Sequence, residues 1–223
     1  MSEFNPTVAR GRDSVLSTNK VIRNTYILLS MTLVFSAVMA AIGMSMNLSS
    51  GSSMMMSLGA LGLIWLVLPR FENSTGGIVV VFAISGLLGM GLGPMLNYYM
   101  AMANGPQLVG TALGGTGVIF LGLSGYALTT RKDFSFMGGF LFVGLLVVFG
   151  AMIANLFFAI PALALAVSAG IILLMSGLIL YDTSRMIHGG ETNYIRATVG
   201  LYLSIYNLFI SLLHILGALS GDD

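Results

Sequence analysis

Three long stretches of this chain carry no charged side chain: residues 24–69, 73–130 and 134–181. A fourth, shorter one covers 197–221. The charges fall between them in clusters. These are Glu3, Arg10, Arg12, Asp13, Lys20 and Arg23; Arg70 and Glu72; Arg131, Lys132 and Asp133; and Asp182, Arg185, Glu191 and Arg196, with Asp222 and Asp223 ending the chain. A helix that crosses a bilayer needs about 20 apolar residues. Each of the first three gaps is long enough for two such helices, and the last holds one. Each long gap also has an uncharged breaker near its middle: "NLSSGSS" (Asn47–Ser53), "ANGPQ" (Ala103–Gln107) and the region of Pro161. Only 8% of the residues are charged, against about 25% in an ordinary soluble domain. So few charges cannot cover a water-facing surface of this size.

The expected fold is therefore an all-α integral membrane protein of seven transmembrane helices. The spans read as 25–46, 54–69, 77–101, 108–130, 135–158, 161–182 and 197–219. Residues 1–24 form an expected flexible tail with little helix pattern before Ser17, and 25–223 form a single membrane domain. Three consecutive hairpins put every Lys and Arg on one side, which the positive-inside rule makes cytoplasmic. The N-terminus is then inside and the C-terminus outside, provided that the last segment spans. With no cysteine, thiolate metal sites and disulfides are excluded. No metal, cofactor or nucleic-acid partner is expected.

Small residues recur at helix-contact spacing. Gly86, Gly89, Gly93 and Asn97 share one face of the third helix, and Gly110 and Gly114 share one on the fourth. Between helices in lipid, such residues allow close backbone approach. In the seventh helix Arg196, Gly200, Ser204, Asn207, Ser211 and His214 follow steps of three and four, a single polar stripe. Unsatisfied polar groups avoid lipid, so this helix is expected at the centre, facing the other six. The stripe either knits the bundle by hydrogen bonds or lines a polar path.

An enzyme reading meets an obstacle of depth. "GLSG" (Gly122–Gly125) and "HILGALSG" (His214–Gly221) fit the serine and histidine motifs of rhomboid intramembrane proteases. At 1.5 Å per residue, however, Ser124 lies roughly 10 Å and His214 roughly 27 Å from the same charged face. A nucleophile and its base must meet within about 3 Å. Ser124 is therefore read as a packing residue and His214 as a bundle histidine. His188 and Glu191 are read as residues of a loop turn. No catalytic residue is assigned.

The chain resembles the Bax inhibitor-1 (TMBIM) family. The resemblance rests on "GLGPML" (Gly91–Leu96), "ALGGT" (Ala112–Thr116), "TRKDFSFMGG" (Thr130–Gly139), "LYD" (Leu180–Asp182), "LYLSIYNLFISLL" (Leu201–Leu213) and "GALSGDD". "LSTNKVIRNTYILLS" (Leu16–Ser30) and "IHGGETNYIRATV" (Ile187–Val199) are similar to its YccA-like branch of bacterial inner-membrane proteins. The resemblance implies seven helices with a central last one, and no catalytic activity. It also implies a slow-substrate modulator of the membrane AAA protease FtsH, in company with HflK and HflC. The tail, including Met1, Ser2, Glu3, Arg10 and Arg12, would be the part that the protease grips. The alternative that the family implies is a pH-sensitive calcium or cation leak, gated by two proton-sharing aspartates. Asp182 matches one of them, while Ser204 stands where leak members have the other. Two close carboxylates raise one pKa, and a carboxylate with a hydroxyl does not reproduce that coupling. Asp182 is expected instead to sense protons singly or, preferably, to serve as counter-ion to Arg185 or Arg196.

Overall fold

A computed structural model describes residues 6–220, with side chains from Thr18 onward. The described chain is helical throughout, with seven helices long and apolar enough to cross a membrane. They are α1 (Pro6–Ser45), α2 (Ser50–Phe71), α3 (Gly76–Met100), α4 (Gly105–Thr130), α5 (Met137–Phe158), α6 (Pro161–Ile187) and α7 (Tyr194–Ser220). The apolar part of α1 begins at Thr18. The helix itself starts at Pro6, upstream of the boundary expected between tail and span, so residues 6–24 are helical rather than poor in helix pattern. Met1, Ser2 and Glu3 and the side chains of Arg10 and Arg12 lie outside the described residues.

The breakers act through backbone geometry. Asn47 and Ala159 take left-handed conformations (φ 47° for both) in the turns after α1 and α5. Pro106 and Pro161 sit in the first turns of α4 and α6, where their missing N–H costs nothing. In α2 the helix widens into a π turn at Leu63–Val67, and the Leu68 N–H reaches back to the Leu63 carbonyl. Pro69 follows at once. It has no N–H to give, and its ring crowds the carbonyl of the preceding turn. The wider turn accommodates it.

α7 packs against α1, α3, α4 and α6, while α2 and α5 lie outside that core. The expectation that α7 faces all six other helices is thus narrowed to four. α3 is as central: 56% of its most apolar stretch is buried, against 50% for α7 and 6% for α5. α3 reaches that depth through backbone contact with α1. A Cβ on Gly93 would lie 2.6 Å from the Gly43 carbonyl oxygen, and one on Gly89 would lie 2.6 Å from the Ser36 Oγ. Asn97 Nδ2 donates to the Met44 carbonyl (3.0 Å), closing the same seam. The expected face of α3 is confirmed. That of α4 is not: Cβ atoms on Gly110 and Gly114 would meet nothing within 4 Å. The buried residues of α4 are Gly105, Leu108, Ala112, Thr116, Phe120, Ser124 and Ala127; from Leu108 on they form a narrow stripe that Gly110 and Gly114 miss by half a turn.

Candidate functional site

The loops between α2 and α3, α4 and α5, and α6 and α7 share the charged end of the bundle. The loop after α6 is organised by two side chains. Asn193 sits just before α7, and its Oδ1 accepts the N–H groups of Ile195 (2.9 Å) and Arg196 (3.2 Å). This satisfies two of the four donors that every helix start leaves open. Its Nδ2 donates to the Glu72 carbonyl (2.9 Å) and to Asn73 Oδ1 (3.0 Å), tying the start of α7 to the α2–α3 loop. Glu191 is the second organiser and is only 8% exposed. Its carboxylate accepts the Asn193 N–H (2.9 Å) and lies 3.8 Å from Arg185 Nη2 and 3.7 Å from Arg196 Nε. Arg196 also reaches Glu72 Oε1 (3.4 Å). Two loops distant in sequence are thus fastened by alternating charges around one shielded carboxylate.

Asp182, expected to sense protons singly or to serve as counter-ion to Arg185 or Arg196, lies beside this knot. Arg185 and Arg196 both turn to Glu191, and among the described residues Asp182 makes no ion pair with either. Arg185 Nη2 also donates to the Gly190 carbonyl (2.9 Å), and its guanidinium lies 5.6 Å from the Tyr181 ring centre. Asp182 faces α7 instead, where Gly200 leaves room: a Cβ there would be 3.1 Å from its Oδ2. Ser204, one turn further along, is buried. No hydrogen bond joins it to Asp182 among the described residues.

The rest of the α7 stripe runs along α6. Asn207 donates to the Leu203 carbonyl of its own helix (2.8 Å). Ser211 is buried. His214 Nδ1 lies 2.8 Å from Ser168 Oγ on α6. A second polar edge of α7 turns to α1 and α3. There Tyr202 hydroxyl meets Ser36 Oγ (2.7 Å) and donates to the Ser85 carbonyl (3.3 Å). Ser124 bonds to the Tyr26 hydroxyl and lies 3.2 Å from Thr183 Oγ1. The two rhomboid-like motifs are therefore apart: Ser124 is held by α1 and α6, and His214 by Ser168.

Sequence reasoning missed Glu191, Glu72, Asn193 and the Tyr26–Ser124–Thr183 cluster. Asn193 had a signal, an Asn directly before an apolar run, which is a common helix start. For Glu191 the signal was only its place between two arginines.

The architecture, the charged-end knot and the central α7 coincide with a match to the family model described as Inhibitor of apoptosis-promoting Bax1, over residues 18–221. The chain belongs to the Bax inhibitor-1 family. Its relatives in that family include "Modulator of FtsH protease YccA" of Escherichia coli (strain K12), 52% identical over 211 residues that cover 95% of each chain. An uncharacterized membrane protein of Vibrio cholerae is 50% identical over 95% of each chain. An uncharacterized protein of Pseudomonas aeruginosa is 47% identical over 99% of this chain and 97% of its own. Family, relatives and the seven apolar helices together mark a multi-spanning membrane protein.

Proposed function

We propose that this chain is an inner-membrane protein that binds the FtsH protease and slows it as a reluctant substrate, with no catalysis of its own. The observation that carries the reading is the 52% identity, over 95% of both chains, to the Escherichia coli protein named as a modulator of that protease. The packing suits a slow substrate. α1 runs unbroken from Pro6 to Ser45, so traction on the N-terminal end passes directly into a spanning helix. That helix is locked to α3 where Gly43 and Gly93, and Ser36 and Gly89, meet backbone to backbone. On this reading the N-terminus is cytoplasmic and the C-terminus periplasmic; the gathering of Arg70, Arg131, Lys132, Arg185 and Arg196 at one end of the bundle supports that orientation.

Affinity capture from native membranes tests this, using the full chain and a form lacking residues 2–15. The full chain is expected to retain FtsH together with HflK and HflC, and the shortened form to lose them while melting at the same temperature. Equal capture by both forms would remove the tail from the account, and capture by neither would end it. A calcium or cation leak is the alternative; ion flux through the purified protein alone would favour it.

A further inference from the structure

A cavity of about 370 Å³ opens at the charged end between α1, the end of α4 and the end of α6. Its polar rim consists of Thr18, Asn19, Arg131 and His188, and its inner wall of Ile22, Leu128 and Ile187. We propose that this pocket binds the phosphate of an anionic phospholipid headgroup.

Depth is the first argument. The apolar part of α1 starts at Thr18, α4 ends at Thr130 and α6 ends at Ile187. Three spanning segments therefore terminate at the rim, which places the cavity at the level where lipid phosphates lie. Its composition matches that level, polar above and apolar below. Basic pockets between spanning helices are a recurring way of holding such headgroups.

The second argument is that the rim is built. Ser184, fully buried at the end of α6, positions both His188 and the loop that carries Arg131. Its Oγ accepts the Phe134 N–H (2.9 Å) and donates to the Lys132 carbonyl (3.3 Å), which fastens the loop that carries Arg131. Its carbonyl takes the Nδ1–H of His188 (2.9 Å), which orients that ring. Arg131 itself adopts a left-handed conformation (φ 50°) and closes α4 through its N–H to the Ala127 carbonyl (2.9 Å). A guanidinium presents a planar fork that fits phosphate oxygens two at a time.

Two features oppose an anion here. The C-terminal ends of α4 and α6 carry the negative ends of their helix dipoles. Asp133 is also close to His188. Its carboxyl is held below the usual range by the Ser135 N–H, with His188 adding to the effect, so it stays charged. Selectivity for phosphate therefore depends on Arg131 more than on diffuse positive potential.

The test uses the full-length protein, reconstituted in phosphatidylcholine vesicles with and without phosphatidylglycerol. Retention of phosphatidylglycerol is read by native mass spectrometry. R131Q is expected to weaken retention about tenfold, the equivalent of 1.4 kcal/mol. R131K, which keeps the charge and loses the fork, should weaken it by less, and H188Q a few-fold. R70Q removes a cation at the same end whose Nη1 donates to the Leu66 carbonyl (2.6 Å), outside the pocket; it should change nothing. Equal losses in R70Q and R131Q would overturn the proposal in favour of general surface charge. Unchanged retention in R131Q and H188Q would overturn it outright. Displacement of the lipid by millimolar inorganic phosphate would reassign the site to a soluble phosphate.

Discussion

α3 and α4 both carry a glycine pair at four-residue spacing, Gly89–Gly93 and Gly110–Gly114, and only the α3 pair lies at a helix contact. On α3 a Cβ at Gly86 would press on Phe35 (2.9 Å), and Cβ atoms at Gly89 and Gly93 would press on the backbone or side chains of α1. On α4 Cβ atoms at Gly110, Gly114, Gly117, Gly122 and Gly125 would meet nothing within 4 Å. The buried shares differ accordingly, 56% for the apolar core of α3 and 28% for that of α4. α4 is held instead by its narrow opposite stripe and, at the charged end, by the hydroxyls around Ser124. Small residues thus permit approach without producing it; a partner helix must supply the other half.

The largest effect that would break this comparison is at Gly89. G89L would drive a branched side chain into Ser36, whose backbone cannot move without shifting α1, and should cost about 3 kcal/mol or more. Thermal unfolding in detergent or vesicles would show it as a marked fall in Tm; a wild-type Tm would refute the close α1–α3 contact. Next is Y202F, which removes the hydroxyl shared between Ser36 and the Ser85 carbonyl. A loss of about 1 kcal/mol is expected. S124A should cost less, about 0.6 kcal/mol, the average for hydrogen bonds between membrane helices. The smallest effect belongs to G114A and G117A. Ala is the better helix former by about 0.8–1 kcal/mol, and neither change meets a neighbour, so both should leave stability level or slightly raised. A clear fall in either would mean that α4's glycine face is occupied.

The seven spans were legible because charge-free length and uncharged breakers are local signals. Pro161, Pro106 and the Asn47 turn mark helix ends whatever surrounds them. The phase of α4 was not legible. Gly110–Gly114 and Gly89–Gly93 have the same spacing, and only the position of a neighbouring helix distinguishes them. The π turn before Pro69 was hidden for a similar reason, since a proline can kink a helix, end it or be absorbed. The charged end was half legible. The clustering of Asp182, Arg185, Glu191 and Arg196 pointed to a polar loop. Which acid the arginines choose depends on how Asn193 folds that loop back on Glu72 and Asn73, and that is a tertiary fact. Asp182 was singled out because it ends an apolar run, and the structure sets it against Gly200 while Glu191 takes both cations.

The account's central claim is tested most directly by reconstituting purified FtsH with this protein in vesicles and following the degradation of a second membrane substrate. The account predicts that substrate turnover slows as the protein is added, while the added chain itself disappears more slowly than the substrate. It also predicts that G89L, with α1 unlocked from α3, is degraded faster and inhibits less. Substrate turnover that is unaffected by the full-length, folded protein at any ratio would contradict it.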